Sequence, residues 1–200
     1  GCLVYTVSPY HTNETFVELA RKLEAMGCHS ICIKDMSGLL KPYVAEDLVL
    51  KLKAAVKVPI DLHTHYTSGF GSMTYLNDIE AGVDIIDTAL APFSNDTSQP
   101  CTETMIETLV GTPYDTGLDR HKLTPVSKYF LQVKQDLIKE FNLKGYFDVN
   151  PNVLDFQIPG GMLSNLTNQL KEQGMEDKYQ DLLDEMPRVR KDVGYPPLVT

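Results

Sequence analysis

The sequence lacks several features that mark specialised classes of protein. It has no tryptophan, no CxxC pair among its four cysteines, and no apolar run near the roughly 20 residues of a membrane span. Acidic residues outnumber basic ones 27 to 18 and are scattered along the chain. These absences argue against a disulfide-rich, membrane-spanning or nucleic-acid-binding protein. Reduced thiols and the lack of a signal segment predict a cytoplasmic location.

Two catalytic signatures are absent as well. No glycine-rich phosphate-binding fingerprint follows any of the β-prone segments, which argues against a nucleotide-binding sheet. The serine, histidine and aspartate residues do not follow the order of a serine hydrolase. The composition, with 42% hydrophobic and 22% charged residues, is that of an ordinary globular chain.

Short β-prone segments alternate with amphipathic helical segments over the first half of the chain. The strands are predicted to begin near residues 2, 30, 58 and 83. This repeat implies parallel strands joined by right-handed crossovers. A (β/α)8 barrel has such a repeat, and a doubly wound open sheet fits it too. From about Gly111 onward the chain is predicted to be helical, with an interruption or kink at Pro187.

Candidate metal ligands stand where two neighbouring strands end. His63 and His65 are two positions apart on the third strand, so their side chains point to the same face. Lys34 occupies the matching place on the second strand. Barrel enzymes build their active sites at these strand ends, so the pattern predicts a divalent-metal site. Hydrogen-bonded or exposed histidines and a lysine paired with Asp35 explain the same residues without a metal.

A lysine in a barrel mouth offers a specific chemistry. Burial disfavours its cationic form, and a neutral amine can add CO2 to give a carbamate. The carbamate is an anionic oxygen donor that suits a metal already bound by imidazoles. Asp35 is predicted to face away from Lys34. Asp87, at the end of the fourth strand, either orients a ligand histidine or caps a loop.

A glycine pair precedes a candidate catalytic hydroxyl. Gly160 and Gly161 permit a close backbone approach or a left-handed conformation. A short helix is predicted to start just past this pair, with Ser164 at its beginning. The Ser164 hydroxyl is interpreted either as the N-cap of that helix or as a group presented to a ligand.

Taken together, the motifs resemble the carboxyltransferase domain of biotin-dependent enzymes. That family includes pyruvate carboxylase, the oxaloacetate decarboxylase α subunit and the large subunit of transcarboxylase. The resemblance runs along nearly the whole chain, and the last of its segments is most similar to free-standing α- or B-type subunits. The segments that carry it are 5–6 (YT), 33–42 (IKDMSGLLKP), 62–69 (LHTHYTSG), 82–89 (GVDIIDTA) and 159–166 (PGGMLSNL).

The resemblance implies an α/β fold, a (β/α)8 TIM barrel of which residues 1–111 supply the C-terminal half, as four βα units. Residues 112–200 would be a helical extension that completes the active-site mouth. In the family the matching lysine is carbamylated and binds the metal together with two histidines, which gives these roles to Lys34, His63 and His65. The family's fourth ligand, an aspartate, and its substrate arginines lie outside this chain, which is therefore expected to be a fragment.

The resemblance also implies a reaction with its cofactors and partners. Ser164 stands where pyruvate carboxylases have a threonine that moves a proton between biotin and pyruvate, and Thr167 matches a hydroxyl residue near the biotin ring. The implied cofactors are a Zn, Mn or Co ion, biotin on a carrier domain, and CO2 as the lysine carbamate. The implied partners are pyruvate or oxaloacetate, the biotinyl carrier domain, and biotin carboxylase or membrane decarboxylase subunits. A homo-oligomer is expected for the full protein, without nucleic acid.

Two alternatives stay open at this point. Aldol and Claisen enzymes, such as isopropylmalate synthase or hydroxymethylglutaryl-CoA lyase, resemble the same barrel and also use an HxH pair. They lack the carbamylated lysine, so Lys34 and the segment 159–166 argue against them. The other alternative is an inactive half-barrel: four strands without their partners expose two sheet edges, and the chain alone is expected to be poorly soluble or oligomeric.

Overall fold

Strands and helices alternate through the first half of the chain, and the described part of the second half contains helices without strands. The structure is a computed structural model that describes residues 1–142 and 149–198. The first elements are β1 (Cys2–Val4), α1 (Asn13–Ala25), β2 (Ile31–Asp35), α2 (Pro42–Ala55), β3 (Ile60–Thr64), α3 (Gly71–Glu80), β4 (Ile85–Ile86) and α4 (Thr102–Leu109). The later helices are α5 (Thr124–Phe141), α6 (Val153–Phe156), α7 (Gly160–Glu172) and α8 (Tyr179–Asp192), and short 3-10 turns lie at Ala91–Phe93, Arg120–Lys122 and Glu176–Lys178. In these described ranges, no helix is both long enough and apolar enough to cross a membrane.

The strands form one parallel sheet whose spatial order follows the chain, β1-β2-β3-β4. Each helix returns the chain to the strand beside the previous one, as in a barrel, whereas a doubly wound sheet reverses its order at a switch point. The register places Lys34 opposite His63 on β3 and opposite Val4 on β1. The sheet therefore brings the lysine and the first histidine side by side.

The two faces of the sheet have different environments, because successive side chains in a strand point to opposite sides. One face packs against the helices and forms the apolar core; each fully buried aliphatic side chain there contributes roughly 1.5–3 kcal/mol. The main members of this core are Leu3, Phe16, Ile31, Ile33, Leu48, Leu52, Ile60, Leu62 and Tyr75. The other face is the barrel lumen, and it carries the half-buried side chains Cys32, Lys34, Asp61 and His63.

The helical extension packs on the C-terminal ends of the strands. A second apolar cluster holds α6, α7 and α8 together, and its buried members are Val153, Phe156, Ile158, Leu163 and Leu183. Asn150 N donates to the Thr67 carbonyl at 2.8 Å, and Ser37 Oγ donates to the Gln157 carbonyl at 3.2 Å. The extension thus contacts the loops that follow β2 and β3. A domain boundary at residue 111 stays a prediction.

Two sequence-based predictions about the helices are wrong. Helix α7 begins at Gly160 itself, because Pro159 has the extended backbone of an N-cap residue and leads directly into the helical turn. Ser164 is consequently inside the helix, and its interpretation as the N-cap fails. Helix α8 runs without interruption through Pro187, while a kink there stays a prediction. The remaining turns and the burial of Leu183 hold it in place despite the missing backbone donor.

The side chain of Asp78 in α3 carries a buried carboxyl group. Its side chain is 0% exposed, and neither carboxyl oxygen has a partner in the part of the chain that the structure describes. Burial, with a smaller contribution from the charge of Glu46, raises the pKa of Asp78 to about 8. The folded protein therefore binds a proton at Asp78 more readily than the unfolded chain does.

Replacing Asp78 by asparagine should make the barrel more stable at high pH. The stability that the protonated carboxyl contributes is fully present below its unfolded-state pKa of 3.8 and is lost as the pH rises through about 8. In the full-length protein, Asp78→Asn should raise the thermal midpoint by several degrees at about pH 8 and by less at about pH 5. The exposed Asp136→Asn on α5 is the control. Equal shifts at both pH values would contradict the burial argument.

Candidate metal centre

His63 and His65 converge through one nitrogen of each ring. Their Nε2 atoms lie 3.2 Å apart, on the lumen side of the end of β3. Thr64 between them points to the opposite face, where its hydroxyl donates to Asp35 Oδ2 at 2.8 Å. The alternation of a β-strand is therefore sufficient to bring the two imidazoles together, as the HxH spacing predicted.

The other nitrogen of each ring is bound to an acceptor. His63 Nδ1 lies 2.8 Å from Asp87 Oδ2, and His65 Nδ1 donates to the backbone carbonyl of Thr97. Carboxylate and carbonyl oxygens only accept, so each neutral ring carries its hydrogen on Nδ1 and presents an Nε2 lone pair. Two facing lone pairs repel each other, and a cation bound by both removes that repulsion. Of the two roles considered for Asp87, contact with a histidine is the one that the structure shows.

Burial and the neighbouring side chains favour the neutral form of His65. Burial is the largest cause that lowers the pKa of His65, and the electrostatic interactions with His63 and Lys34 lower it further. The Thr97 carbonyl and the charge of Asp35 act in the opposite direction without reversing the shift. Neutral imidazole is the form that binds a metal, so this environment favours a ligand role for His65.

Lys34 and Asp35 face opposite sides of the sheet, as predicted. Asp35 is fully buried and accepts hydrogen bonds from Leu39 N at 3.0 Å, Leu40 N at 2.8 Å and the Thr64 hydroxyl. These contacts hold the loop after β2 and leave Asp35 unsuited to bind a lumen metal. Lys34 stays half-buried on the lumen face beside His63. The ion pair between Lys34 and Asp35 that the sequence left open is therefore not formed.

Gln99 belongs to the same cluster, although no sequence pattern pointed to it. Its amide nitrogen lies 3.3 Å from His63 Nε2 and 3.2 Å from His65 Nε2. The loop after β4 brings it there by folding back over the end of β3, where Tyr66 N donates to the Ser98 carbonyl at 2.7 Å. The only signal in the sequence is its position in a loop after a strand end.

Gly160 allows the start of α7 to pack closely against Thr97, in the loop that contacts His65. A Cβ added at Gly160 would lie 2.7 Å from Thr97 Cγ2, and Thr97 is the residue whose carbonyl binds His65. Ser164 Oγ donates to the Gly160 carbonyl at 3.2 Å, one turn along the helix. The start of α7 thus packs on the loop that orients a candidate ligand. The presentation of the Ser164 hydroxyl to a substrate stays a prediction.

Thr167 lies one further turn along α7. Its hydroxyl donates to the Leu163 carbonyl at 2.9 Å, a contact within the helical extension. The expected contact of Thr167 with biotin stays a prediction.

The two histidines together with Lys34 form a set of donors that fits a divalent metal. Two neutral imidazoles with Nε2 atoms 3.2 Å apart suit a cation at the usual distance of about 2.1 Å from each. Within residues 1–142 and 149–198, no group of three or more His, Cys, Asp and Glu side chains forms a metal site. A site at the histidines therefore needs a further donor, and Lys34 as a carbamate would supply an anionic oxygen there.

Replacing Asp87 by asparagine should weaken metal binding at His63. Asparagine can turn its amide nitrogen toward the ring, which favours the wrong tautomer, and it removes a negative charge that raises ligand basicity. Metal affinity of the full-length protein, measured by competition with a chelator, should fall about 10- to 100-fold. Asp84→Asn, at the opposite end of β4 where the carboxylate binds Lys53, is the matched control. Equal affinities for both variants would contradict this role.

Sequence comparison defines the class of this barrel. The family profile described as HMGL-like matches residues 8–129, and the profile described as a conserved carboxylase domain matches residues 153–200. The chain belongs to the HMGL-like family. The second match covers the helical extension, and the two together identify a part of the carboxyltransferase domain of biotin-dependent enzymes, as the motifs suggested.

Individual relatives agree with this assignment. The B-type subunit of pyruvate carboxylase from Methanocaldococcus jannaschii is 54% identical over 100% of this chain and 35% of its own length. The methylmalonyl-CoA carboxyltransferase 5S subunit of Propionibacterium freudenreichii is 43% identical over 100% of this chain and 39% of its own. The chain thus spans about a third of the length of these relatives.

A solved structure confirms the predicted fold. The carboxyl transferase domain of Rhizobium etli pyruvate carboxylase, solved with pyruvate and biocytin, matches with a TM-score of 0.93 at 33% identity. The match covers 100% of this chain and 34% of that one. The four βα units and the helices after them are therefore a part of a TIM-barrel carboxyltransferase domain.

Proposed function

We propose that the full-length protein transfers a carboxyl group between carboxybiotin and pyruvate or oxaloacetate. The reaction takes place at a divalent metal held by His63, His65 and Lys34 as its carbamate. The observation that carries this proposal is the convergence of the two Nε2 atoms at 3.2 Å, with Lys34 opposite His63 in the register. The reaction class is supported by relatives that are named as parts of pyruvate carboxylase and of methylmalonyl-CoA carboxyltransferase.

The side chains of the site divide the work between binding and proton transfer. His63 and His65 bind as neutral ligands, because Asp87 and the Thr97 carbonyl keep their Nδ1 atoms protonated. A metal held by these residues would supply positive charge to stabilise the enolate of pyruvate. The Ser164 hydroxyl gives its proton to one partner, biotin or the substrate carbon, and takes a proton from the other.

The cofactors and partners follow from this reaction. Imidazole together with carbamate oxygen suits Zn, Mn or Co. Biotin reaches the site on a carrier domain, with Ser164 and Thr167 near its ring. Biotin carboxylase or membrane decarboxylase subunits complete the reaction cycle in the cytoplasm, in a protein that forms homo-oligomers. The 200 residues on their own are proposed to be inactive, since they supply only part of the barrel.

Aldol or Claisen chemistry is the competing function, because the HMGL-like match covers the barrel and its HxH pair. The match of residues 153–200 to the conserved carboxylase domain argues for carboxyl transfer instead. Lys34 beside the histidines argues in the same direction, since it supplies the carbamate ligand.

Isotope exchange tests the proposed reaction directly. The full-length protein with its biotin carrier should exchange labelled pyruvate into oxaloacetate without ATP, and avidin should block this exchange by binding biotin. Chelation of the metal should also stop it. Exchange that resists avidin, or its absence in metal-loaded, biotinylated protein, would contradict carboxyl transfer. Condensation or cleavage that depends on acyl-CoA would favour the aldol and Claisen class.

A further inference from the structure

We infer that Gln99 is a further ligand of this metal centre and that it binds the metal through its side-chain amide oxygen. The inference rests on the proposed metal centre and adds to it a neutral ligand from the loop after β4. Gln99 would be a donor that neither the HxH pair nor the lysine motif contains. It would join the site from the third of three consecutive βα connections.

The geometry of three side-chain ends carries this inference. The Nε2 atoms of His63 and His65 lie 3.2 Å apart. The amide nitrogen of Gln99 lies 3.3 Å from His63 Nε2 and 3.2 Å from His65 Nε2. The corners of this nearly equilateral triangle are about 1.9 Å from its centre. This separation is compatible with one cation bound by all three groups, since the usual ligand distance for nitrogen and oxygen donors is about 2.1 Å.

The Gln99 amide has a hydrogen-bond donor that suits the site without metal and an oxygen that suits the site with metal. Without metal, its N–H2 group donates to the two histidine lone pairs. With metal, those lone pairs are used, and the amide hydrogens would face a cation. Rotation of the amide by half a turn exchanges its nitrogen and oxygen and presents the oxygen instead.

Ser98 accommodates both orientations of the amide. Its hydroxyl lies 3.2 Å from Gln99 Oε1, to which it can donate, and after the rotation it can accept from the amide nitrogen. The outer end of the amide therefore keeps a partner in either state. The rotation changes hydrogen-bond direction without moving the side chain away from the histidines.

The backbone of the loop fixes Gln99 in front of the histidines. Asn95 N donates to the Gln99 carbonyl and Ser98 N to the Asn95 carbonyl, both at 2.7 Å, which closes a tight turn. Asn95 and Asp96 have the positive φ angles that this turn requires, and their short polar side chains tolerate that conformation better than most. The same turn supplies the Thr97 carbonyl to His65. One loop thus orients a ligand and contributes another.

Metal affinity measured on the full-length protein tests this inference. Gln99→Ala removes the amide, and Gln99→Leu removes its polar atoms while retaining most of the volume. Each should weaken binding of Co²⁺, measured by competition with a chelator, by about 10- to 100-fold. Each should also change the visible absorption of bound Co²⁺, which depends on its ligands. Gln180→Ala, an exposed glutamine that binds Asp184 on α8, should match the wild type.

The outcomes separate this inference from the proposed function. If either folded Gln99 variant binds Co²⁺ as tightly as the wild type and with the same absorption, Gln99 is not a ligand, while the histidine centre stands. Tighter binding would show that the amide only competes with the metal, which also overturns the inference. If the wild type binds no Co²⁺ at His63 and His65, the proposed centre itself fails.

Discussion

Lys34→Ala in the full-length protein should lower the rate of carboxyl exchange by about 10³-fold and release most of the bound metal. The change removes the proposed carbamate ligand, which the register places opposite His63, and with it the negative charge that would balance the cation. Loss of several kcal/mol of charge stabilisation at the enolate corresponds to a rate effect of this size. Exchange rate and metal content, measured on the same preparation, check both parts.

Two further variants distinguish loss of the carbamate from loss of a positively charged side chain. Lys34→Arg keeps a positive charge but cannot form a carbamate, so it should behave like Lys34→Ala. Lys41→Ala, an exposed lysine before α2, is the matched control. Isotope-labelled bicarbonate should give a carbamate signal in the wild type that Lys34→Ala lacks. Retained metal affinity together with retained exchange in Lys34→Ala would contradict the carboxyltransferase centre.

Ser164→Ala should lower carboxyl exchange by about 10²- to 10⁴-fold while the protein stays folded. The hydroxyl is proposed to carry a proton between biotin and pyruvate, and alanine cannot. Its contact in the structure, donation to the Gly160 carbonyl within α7, is of the kind whose loss a helix tolerates. Ser164→Thr keeps the hydroxyl and should retain activity within about tenfold of the wild type.

A matched control isolates the proton-transfer role. Thr108 on α4 makes the same type of contact, donating to the Thr104 carbonyl four residues earlier, but lies on an exposed helix face. Thr108→Ala should leave the rate unchanged. Exchange of the pyruvate methyl protons with solvent measures the proposed step itself. Wild-type methyl exchange in Ser164→Ala would show that another group moves the proton.

The parts of the molecule that local periodicity determines were predictable from the sequence. The β-α repeat predicted parallel strands joined by crossovers, and the structure adds that their order in the sheet follows the chain. The two-residue spacing of His63 and His65 predicted their shared face, and the one-residue offset of Lys34 and Asp35 predicted their opposite faces. Each of these depends on the geometry of a single strand or of neighbouring strands.

The parts that depend on tertiary contacts were not predictable. Gln99 and Thr97 reach the histidines across more than thirty residues, through a loop whose turn depends on positive φ angles at Asn95 and Asp96. No periodicity encodes such a contact. Ser164 was misplaced for a similar reason, since the start of α7 is set by Pro159 and by the packing of the next residue against Thr97.

The metal content of the full-length protein tests the central claim most directly. After reconstitution with Co²⁺ and removal of loosely bound ions, the wild type should retain about one ion per chain. The double variant with His63→Ala and His65→Ala should retain none while keeping the secondary structure and apolar core of the wild type. One bound ion in the wild type that disappears in the double variant would support the centre. An ion that persists in the double variant, or a wild type that retains none, would contradict it.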